Sequence, residues 1–469
     1  MRGAALKPAA LAAVALSLAG CGSLAPPAGS PQAPLRDNFR TDAVAAEAAP
    51  GSAVVAHEWD GFFADERLRR VVGLALAGNR SLRASVAAVE RARAQFGITE
   101  ANRWPDLRGT ASAGQQGSDG GGTTTSTYSV SLGLAAWEID LFNRVGSLQG
   151  AALARYLAQR ETQRSARLSL VAQVADAWLN LSAESQRLRL AEELRGSQLK
   201  TLDLTERQYQ LGAASGLQRA RGQTAFEAAR GEAVRSAAAV RQARLALELL
   251  AGQPLPDALL PNAQAEQATA LPDVPSGLPA TALLQRPDLR AAEQQLQAAA
   301  FDVGAARAAR FPRLTLTASA GTRSGELDNL MRSGSGFWSL LPSLDLPLFD
   351  AGARQAQVQV TQATRREVLA NYEATLQSAF REVADALAVR DSLAERLAAQ
   401  TAQVVAAARS LDLSEQSYRL GAASQLELLD AQRQLTAARQ GLVTLRQTEQ
   451  ANRVVLLRAL GGRWAAPGG

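Results

Sequence analysis

The sequence is poor in the residues that build most catalytic and metal-binding sites. Its 469 residues contain one histidine and one cysteine. These counts exclude a zinc site made of Cys and His ligands, a Cys–His nucleophile pair and a disulfide framework. The chain also carries no Walker loop, no G-x-S-x-G motif and no dinucleotide-binding fingerprint. We therefore predict a protein that is not an enzyme and that needs no cofactor or metal.

Lysine and aromatic residues are also scarce. Lys7 and Lys200 are the only lysines, and aromatic residues make up 5% of the chain, whereas 47% of it is hydrophobic. This composition, rich in Ala and Leu, favours long helices over a thick globular core. The formal net charge is +6, but the arginines are interspersed with Glu and Asp instead of clustering. We therefore expect solvated helix faces and no nucleic-acid partner.

The N-terminus carries an export signal. Arg2 and Lys7 form a positively charged start, and an apolar stretch follows at residues 9–20. This stretch is too short to cross a membrane as a helix, and small residues follow it, as they do in secretory signals. The pattern predicts a signal peptide over residues 1–20.

The residue after this signal, Cys21, is the only cysteine in the chain. The string LAGC at residues 18–21 resembles a bacterial lipobox, in which the cysteine is acylated and the chain is cut just before it. The resemblance implies an anchor in outer-membrane lipid, because Gly22 stands where Asp retains many such lipoproteins in the inner membrane. The alternative is a cysteine placed there by chance. Residues 21–57, rich in Pro, Ala, Gly and Ser, are predicted to form a flexible lipidated tether.

The chain contains the same sequence pattern twice. Two segments of 36 residues, which begin at Asn79 and Arg286, share Leu, Pro and Gly at positions 207 residues apart. Farther along, VADA and Y-x-LGAAS recur with a spacing of 209 residues. Matches in one order over some 180 residues identify a tandem duplication. We predict a first repeat over residues 58–270, a second over 271–462 and a tail over 463–469.

Each repeat is predicted to contain a helix, two strands, a very long helix, a short turn and a returning helix. The long helices run from about Asn143 to Tyr209 and from about Ala353 to Tyr418, with no proline inside either. Apolar residues spaced by three and four give a stripe of the coiled-coil kind. At 1.5 Å per residue, each helix is roughly 100 Å long. Gly212 and Gly421 end these helices, and a serine three residues later begins each returning helix.

Alternating stretches predict four strands. Residues 128–134 and 314–321 alternate apolar with small polar residues, as membrane-crossing strands do. A soluble hairpin cap fits these weak patterns about equally well. Trp104 and Trp137 are candidates for the membrane interface, where Trp concentrates. Four strands cannot close a barrel, so several chains must share one if the strands span a membrane. The last strand is predicted to carry these residues on one face: Trp338, Leu340, Leu344, Leu346 and Leu348.

The lipobox, the repeats with strands between helices, VADA in both long helices and the Tyr-x-Leu-Gly-x-x-Ser hairpins resemble the TolC/OprM outer-membrane factors, in their NodT-type lipoprotein branch. The resemblance covers residues 58–462. It implies a mainly α fold with a small β part, in which a homotrimer forms an α-helical barrel of long coiled-coil helices. The trimer also forms a 12-stranded β-barrel to which each chain gives four strands. Such proteins conduct and do not catalyse.

This resemblance implies a channel in the outer membrane that extends into the periplasm. It would be the exit duct of a tripartite efflux pump for small molecules such as drugs, with a periplasmic adaptor and an inner-membrane pump as partners. Two other functions stay open on the residues alone. One is an outer-membrane duct for secreted proteins or peptides. The other is a lipid-anchored coiled-coil scaffold, which would not explain the four strands.

The resemblance also implies a periplasmic gate. Leu426, Glu427, Asp430 and Arg433 match the family's constriction segment, with Leu426 as a hydrophobic plug and Asp430 as an acidic ring. Three aspartates around one axis can hold cations, and an arginine three residues on can restrain each of them. An ordinary solvated ion pair is the alternative. The aligned residues 217–223 of the first repeat lack an acidic residue, which argues against a second ring.

The two hairpin tips are the adaptor's docking sites by the same resemblance, whereas turns without further function are the alternative. The first tip comprises Leu211, Gly212, Ala213 and Ser215, and the second comprises Leu420, Gly421, Ala422 and Ser424.

Overall fold

A computed structural model of the chain describes residues 23–27, 59–117, 124–261 and 280–462. The helices within these ranges are α1 (Trp59–Phe62), α2 (Glu66–Gly78), α3 (Arg80–Ala101), α4 (Arg144–Gln210), α5 (Gly216–Ala251), α6 (Pro287–Ala308), α7 (Ala353–Arg419) and α8 (Gln425–Ala459). The strands are β1 (Leu107–Gln116), β2 (Thr125–Ile139), β3 (Arg313–Ser324) and β4 (Gly336–Asp345). Short 3-10 turns lie at Asp257–Leu259, Ala280–Gln285 and Leu327–Asn329.

The predicted element order is confirmed in both halves of the chain. The first half runs α3, β1, β2, α4 and α5, and the second runs α6, β3, β4, α7 and α8. The long helices α4 and α7 contain 67 residues each and begin and end within a residue of the predicted bounds. They run unbroken because neither contains a proline, which would remove a backbone donor and clash with the preceding turn. None of the helices in the described ranges carries an apolar stretch long enough to cross a membrane.

The four strands form one antiparallel sheet in the order β1-β2-β3-β4. The β2–β3 pair joins the two repeats, with Leu132 opposite Ala320 and Trp137 opposite Leu316. The register shifts between Leu134 and Trp137, where Ala136 has a φ of 45°. At this bulge Ala135 and Ala136 lie opposite the single residue Thr317, and the one extra residue keeps Leu134 and Trp137 on the same face of the sheet.

The prediction for the last strand was partly wrong. Trp338, Leu340 and Leu344 lie on one face of β4 and are exposed, as predicted. Leu346 and Leu348, however, lie beyond the end of the strand at Asp345. Pro347 separates these two leucines and has no backbone N–H to donate to a neighbouring strand.

The described residues divide into two compact units, and each takes segments from both repeats. One unit comprises 23–27, 87–117, 124–161 and 290–375, and therefore contains the sheet. The other comprises 59–86, 162–261, 280–289 and 376–462. Its core packs α1 and α2 against α4, α5 and α8 around Trp178, which is fully buried. The indole of Trp178 donates to the carbonyl of Leu259 at 3.4 Å, so this residue serves packing.

Candidate functional site

The two hairpin tips have nearly the same geometry. At each tip the glycine is left-handed, with a φ of 74° at both Gly212 and Gly421. Its backbone N–H donates to the carbonyl of the tyrosine three residues earlier, at 3.0 Å in the first tip and 3.1 Å in the second. Leu211 and Leu420 are each 84% exposed. Both tips therefore present a leucine side chain to solvent on a turn of the same shape.

A capping box begins each returning helix. Ser215 Oγ accepts from the Gln218 N–H at 3.2 Å, and Gln218 Oε1 accepts from the Ser215 N–H at 2.7 Å. Ser424 and Glu427 repeat this arrangement at 3.3 and 2.7 Å. Each box satisfies two backbone donors that the helix leaves without partners, which fixes the direction in which the chain returns. Glu427, one of the predicted gate residues, thus caps α8 in this structure.

Amide side chains join α4 to α8 near the tips. Gln432 accepts from Gln198 at 2.8 Å and donates to the hydroxyl of Ser197 at 2.9 Å. Gln425 donates to the hydroxyl of Thr205 at 2.9 Å. Buried, hydrogen-bonded amides of this kind fix the register between two helices. This network could not be predicted from the sequence, because glutamine is equally common on solvated helix faces.

The predicted gate residues lie in the first three turns of α8. Arg433 Nη2 lies 3.1 Å from Asp430 Oδ1, and Gln434 Nε2 donates to Asp430 Oδ2 at 2.6 Å. Arg433 and Leu426 are exposed, and Asp430 is half-exposed. The Asp430 carboxylate thus has a contact on each oxygen and still faces solvent. Gln434 was missed at the sequence level, although its i+4 spacing from Asp430 could have identified it.

The equivalent stretch of α5 has a basic residue where α8 has Asp430. That residue is Arg221, 209 positions earlier. Its neighbour Arg219 donates to Glu206 Oε2 at 2.7 Å, and the Arg219 guanidinium lies 5.2 Å from the centre of the Tyr209 ring. Arg219 is therefore held against the end of α4, and α5 offers no carboxylate at the gate position.

The predicted lipidation site, Cys21, and the predicted signal peptide lie outside the described residues. Residues 23–27, which begin two positions after Cys21, are described. Arg307 Nη1 on α6 donates to the carbonyl of Leu24 at 3.0 Å. A Cβ on Gly304 would lie only 2.9 Å from Ala25, so glycine allows this close approach. This short part of the predicted tether is therefore held against α6.

A half-buried carboxylate lies in α4, at the aspartate of the first VADA string. Asp176 Oδ1 is buried and has no hydrogen-bond partner among the described residues. Burial raises the pKa of Asp176 to about 6, although the positive charge of Arg458 on α8 opposes the shift. Arg458 Nη2 itself donates to Glu382 on α7 at 3.0 Å, so it does not serve Asp176 alone.

We expect Asp176→Asn to stabilise the protein at pH 7.5. The pKa of Asp176 in the folded state lies above its unfolded value, so the ionised carboxylate destabilises the fold above about pH 6 and stops doing so as the pH falls to about 4. A shift of two pKa units corresponds to about 3 kcal/mol, which solvent contact reduces to about 1–2 kcal/mol. Thermal unfolding should therefore favour the variant at pH 7.5, and the difference from the wild type should disappear near pH 4.

The second repeat offers a matched control. Asp385 is the aspartate of the second VADA string, but it is exposed and lies 3.3 Å from Arg381. Asp385→Asn should leave the melting temperature nearly unchanged at both pH values. A wild type that is as stable as Asp176→Asn at pH 7.5, or more stable, would contradict the destabilising role of the Asp176 charge.

Comparisons with known proteins identify what this chain is similar to. The family model described as "Outer membrane efflux protein" matches residues 71–253 and 278–462. Outer membrane protein OprJ of Pseudomonas aeruginosa is 38% identical over 457 residues, which cover 96% of this chain and 95% of OprJ. Cation efflux system protein CusC of Escherichia coli is 37% identical over 454 residues, with 96% of this chain and 98% of CusC covered.

A solved structure has the same fold. The open state of the MtrE outer membrane channel of Neisseria gonorrhoeae superimposes with a TM-score of 0.85 at 34% identity. The match covers 94% of this chain and 98% of MtrE.

Proposed function

The chain belongs to the outer membrane efflux protein family, and from this membership we propose that three copies form one exit duct for small molecules. The family consists of outer-membrane efflux channels, which conduct and do not catalyse. In the proposed duct, the strands of three chains close a single barrel in the outer membrane. The long helices α4 and α7 then continue the tube into the periplasm.

The observation that carries the proposal is the pair of open sheet edges. Among the strands in the described part of the chain, β1 and β4 each have a hydrogen-bonded neighbour on one side only. Every residue of β1 is exposed in the single chain. Such edges favour pairing with another strand, and a barrel leaves no edge free. Because four strands are too few to close a barrel, the edges support a ring of several copies in which β4 of one pairs with β1 of the next.

The proposed gate lies at Leu426, Glu427, Asp430 and Arg433 on α8. Around the axis of a trimer, Asp430 would form a ring of three carboxylates. The contacts of Arg433 and Gln434 with Asp430 support a restrained ring, because each carboxylate oxygen already has a donor. A ring of this kind can hold cations and narrow the tube at its periplasmic end.

The proposed partners are a periplasmic adaptor and an inner-membrane pump. Two exposed leucines, Leu211 and Leu420, support a docking role for the tips. Each presents an apolar side chain to solvent on a turn whose shape is fixed by a left-handed glycine. The same turn shape at both tips suits an adaptor that repeats the same contact around the ring.

We further propose that Cys21 carries the lipid anchor. Cys21→Ser should abolish incorporation of radiolabelled palmitate and leave the signal sequence uncut at residue 20, since a lipobox requires the cysteine thiol. Gly22→Asp is the matched control, because it should keep the label and shift the protein toward the inner membrane. Label that persists in Cys21→Ser would contradict the anchor.

Dye efflux tests the proposed function. The full chain is expressed in a Gram-negative strain that lacks its own exit duct and carries one of a panel of adaptor and pump pairs. We expect at least one pair to lower the accumulated dye when the chain is present. Dye retained with every pair, despite trimers in the outer membrane, would contradict small-molecule efflux. Export of a secreted protein by the same cells would favour the secretion alternative.

A further inference from the structure

The junction between the two repeats inside one chain is formed by specific side-chain pairs. Phe142, just after β2, stacks on Phe311, just before β3, with ring centres 4.7 Å apart and planes inclined by 18°. Arg155 on α4 forms an ion pair with Asp302 on α6. These residues belong to one compact unit and lie where the first repeat meets the second.

A third pair at the same junction combines a small residue with a large one. Gly150 on α4 faces the ring of Phe301 on α6, and a Cβ at Gly150 would lie 3.0 Å from three ring carbons. A small residue on one helix thus makes room for a large residue on the other.

The counterparts of the aromatic pair are exposed in the single chain. A shift of 207 residues relates Phe142 to Phe349 and Phe311 to Trp104. Phe349 is 90% exposed and Trp104 is 74% exposed. Phe349 follows β4 and Trp104 precedes β1, so the two aromatic residues lie beside the two open edges of the sheet.

The counterparts of the other two pairs are complementary as well. The shift of 207 residues relates Gly150 to Gln357 and Phe301 to Ala94. A larger residue again faces a small one, but the larger residue now lies on α7, the counterpart of α4, and the small one on α3, the counterpart of α6. The ion pair maps onto two neutral amides, Gln362 and Gln95. All four residues are exposed in the single chain. Two amides facing each other can form a hydrogen bond, which would replace the one that Arg155 donates to Asp302 in the chain's own junction.

We propose that these residues form the seam between neighbouring copies, with Phe349 of one copy stacked on Trp104 of the next. The inference rests on the ring of three chains proposed above. In such a ring the first and second repeats alternate. The edge of the second repeat in one copy therefore meets the edge of the first repeat in the next copy, as the two repeats meet inside one chain. Gln362 then faces Gln95 of the next copy, and Gln357 covers Ala94. The occupant of this exposed surface is a second copy of the chain rather than lipid.

Cross-linking tests the register of the seam. The full-length double variant Gln95→Cys, Gln362→Cys is treated in outer membranes with a short bismaleimide and run under denaturing conditions. We expect covalent dimers and trimers from the double variant and only monomers from each single variant. If native mass spectrometry shows trimers but no cross-link forms, the proposed seam is overturned and the proposed ring is not. A wild type that is monomeric would overturn the proposed ring and the seam with it.

A double-mutant cycle tests the aromatic contact. Trp104→Ala and Phe349→Ala should each lower the temperature at which the trimer dissociates, and the double variant should lower it no further than the stronger single variant. Trp104→Phe should restore most of the loss, because an aromatic ring remains to stack. Shifts that simply add in the double variant would mean that the two rings contact lipid separately, and would overturn the stacking.

Discussion

Replacing Gly252 with alanine is expected to destabilise the fold by about 3 kcal/mol. Gly252 follows α5 with a φ of 75°, where an L side chain is strained. A Cβ there would lie 2.5 Å from the carbonyl oxygen of Gly78 and 2.7 Å from its carbonyl carbon. Both atoms belong to the backbone, so no side chain can rotate away. Strain and overlap of this kind cost about 1–3 kcal/mol each.

The close approach at Gly252 secures a junction between elements far apart in the chain. Asn79, next to Gly78, donates to the carbonyl of Leu250 at 2.9 Å and accepts from the N–H of Leu82 at 3.0 Å. The start of α3 is therefore bound to the end of α5. We expect an alanine at Gly252 to push the two backbones apart and to break the bond from Asn79 to Leu250 as well.

Two glycines are controls for Gly252. Gly231 lies inside α5, and no atom lies within 4 Å of the Cβ that an alanine would add. Gly231→Ala should therefore stabilise the helix by about 0.5–1 kcal/mol. Gly461, the counterpart of Gly252, also has a φ of 75°, but the atom nearest its added Cβ, Arg286 Cα, is 3.3 Å away. Gly461→Ala should therefore have an intermediate effect. Circular dichroism on heating ranks the variants by melting temperature. A Gly252→Ala variant that melts at the wild-type temperature would contradict the predicted strain and overlap at this position.

Removing the proposed gate pair should produce the largest functional effect. The double variant Asp430→Ala, Arg433→Ala deletes the proposed carboxylate ring and its guanidinium partner, so in the proposed duct charges would no longer hold the periplasmic end closed. We expect conductance in a planar bilayer to rise several-fold over the wild type. Cells that express the variant should also become sensitive to vancomycin, which the intact outer membrane excludes.

The chain provides a matched ion pair for this experiment. On α7, Arg409 lies 3.0 Å from Asp412, and Gln416 donates to the same carboxylate at 2.9 Å. As in the proposed gate, the arginine lies three residues from the aspartate and the glutamine four residues after it, but here the arginine precedes the aspartate. Arg409→Ala, Asp412→Ala should therefore leave the conductance unchanged. Gate variants that insert as trimers and conduct like the wild type would mean that the duct closes elsewhere.

The sequence predicted the large elements well because their signals are local. The long helices followed from an absence of proline and from apolar residues spaced by three and four. Gly212 and Gly421 marked the tips because few residues other than glycine adopt a positive φ. The end of β4 was placed too late, because the apolar alternation continues past Asp345 whereas the pairing stops before Pro347.

Burial of the two VADA strings could not have been predicted from the sequence. The strings are identical, but Asp176 is half-buried near Arg458 and Asp385 is exposed beside Arg381. The difference arises from the elements that pack on each helix, which lie hundreds of residues away in the chain. The amide network of Gln198 and Gln432 escaped prediction for the same reason.

We propose that three copies of this chain share one duct. Native mass spectrometry of the wild-type protein, extracted from outer membranes with its lipid anchor, tests this assembly. We expect a complex of three mature chains, each with a lipid attached at Cys21. A single chain or a dimer under the same gentle conditions would contradict the account, because neither could close a barrel from four strands per chain.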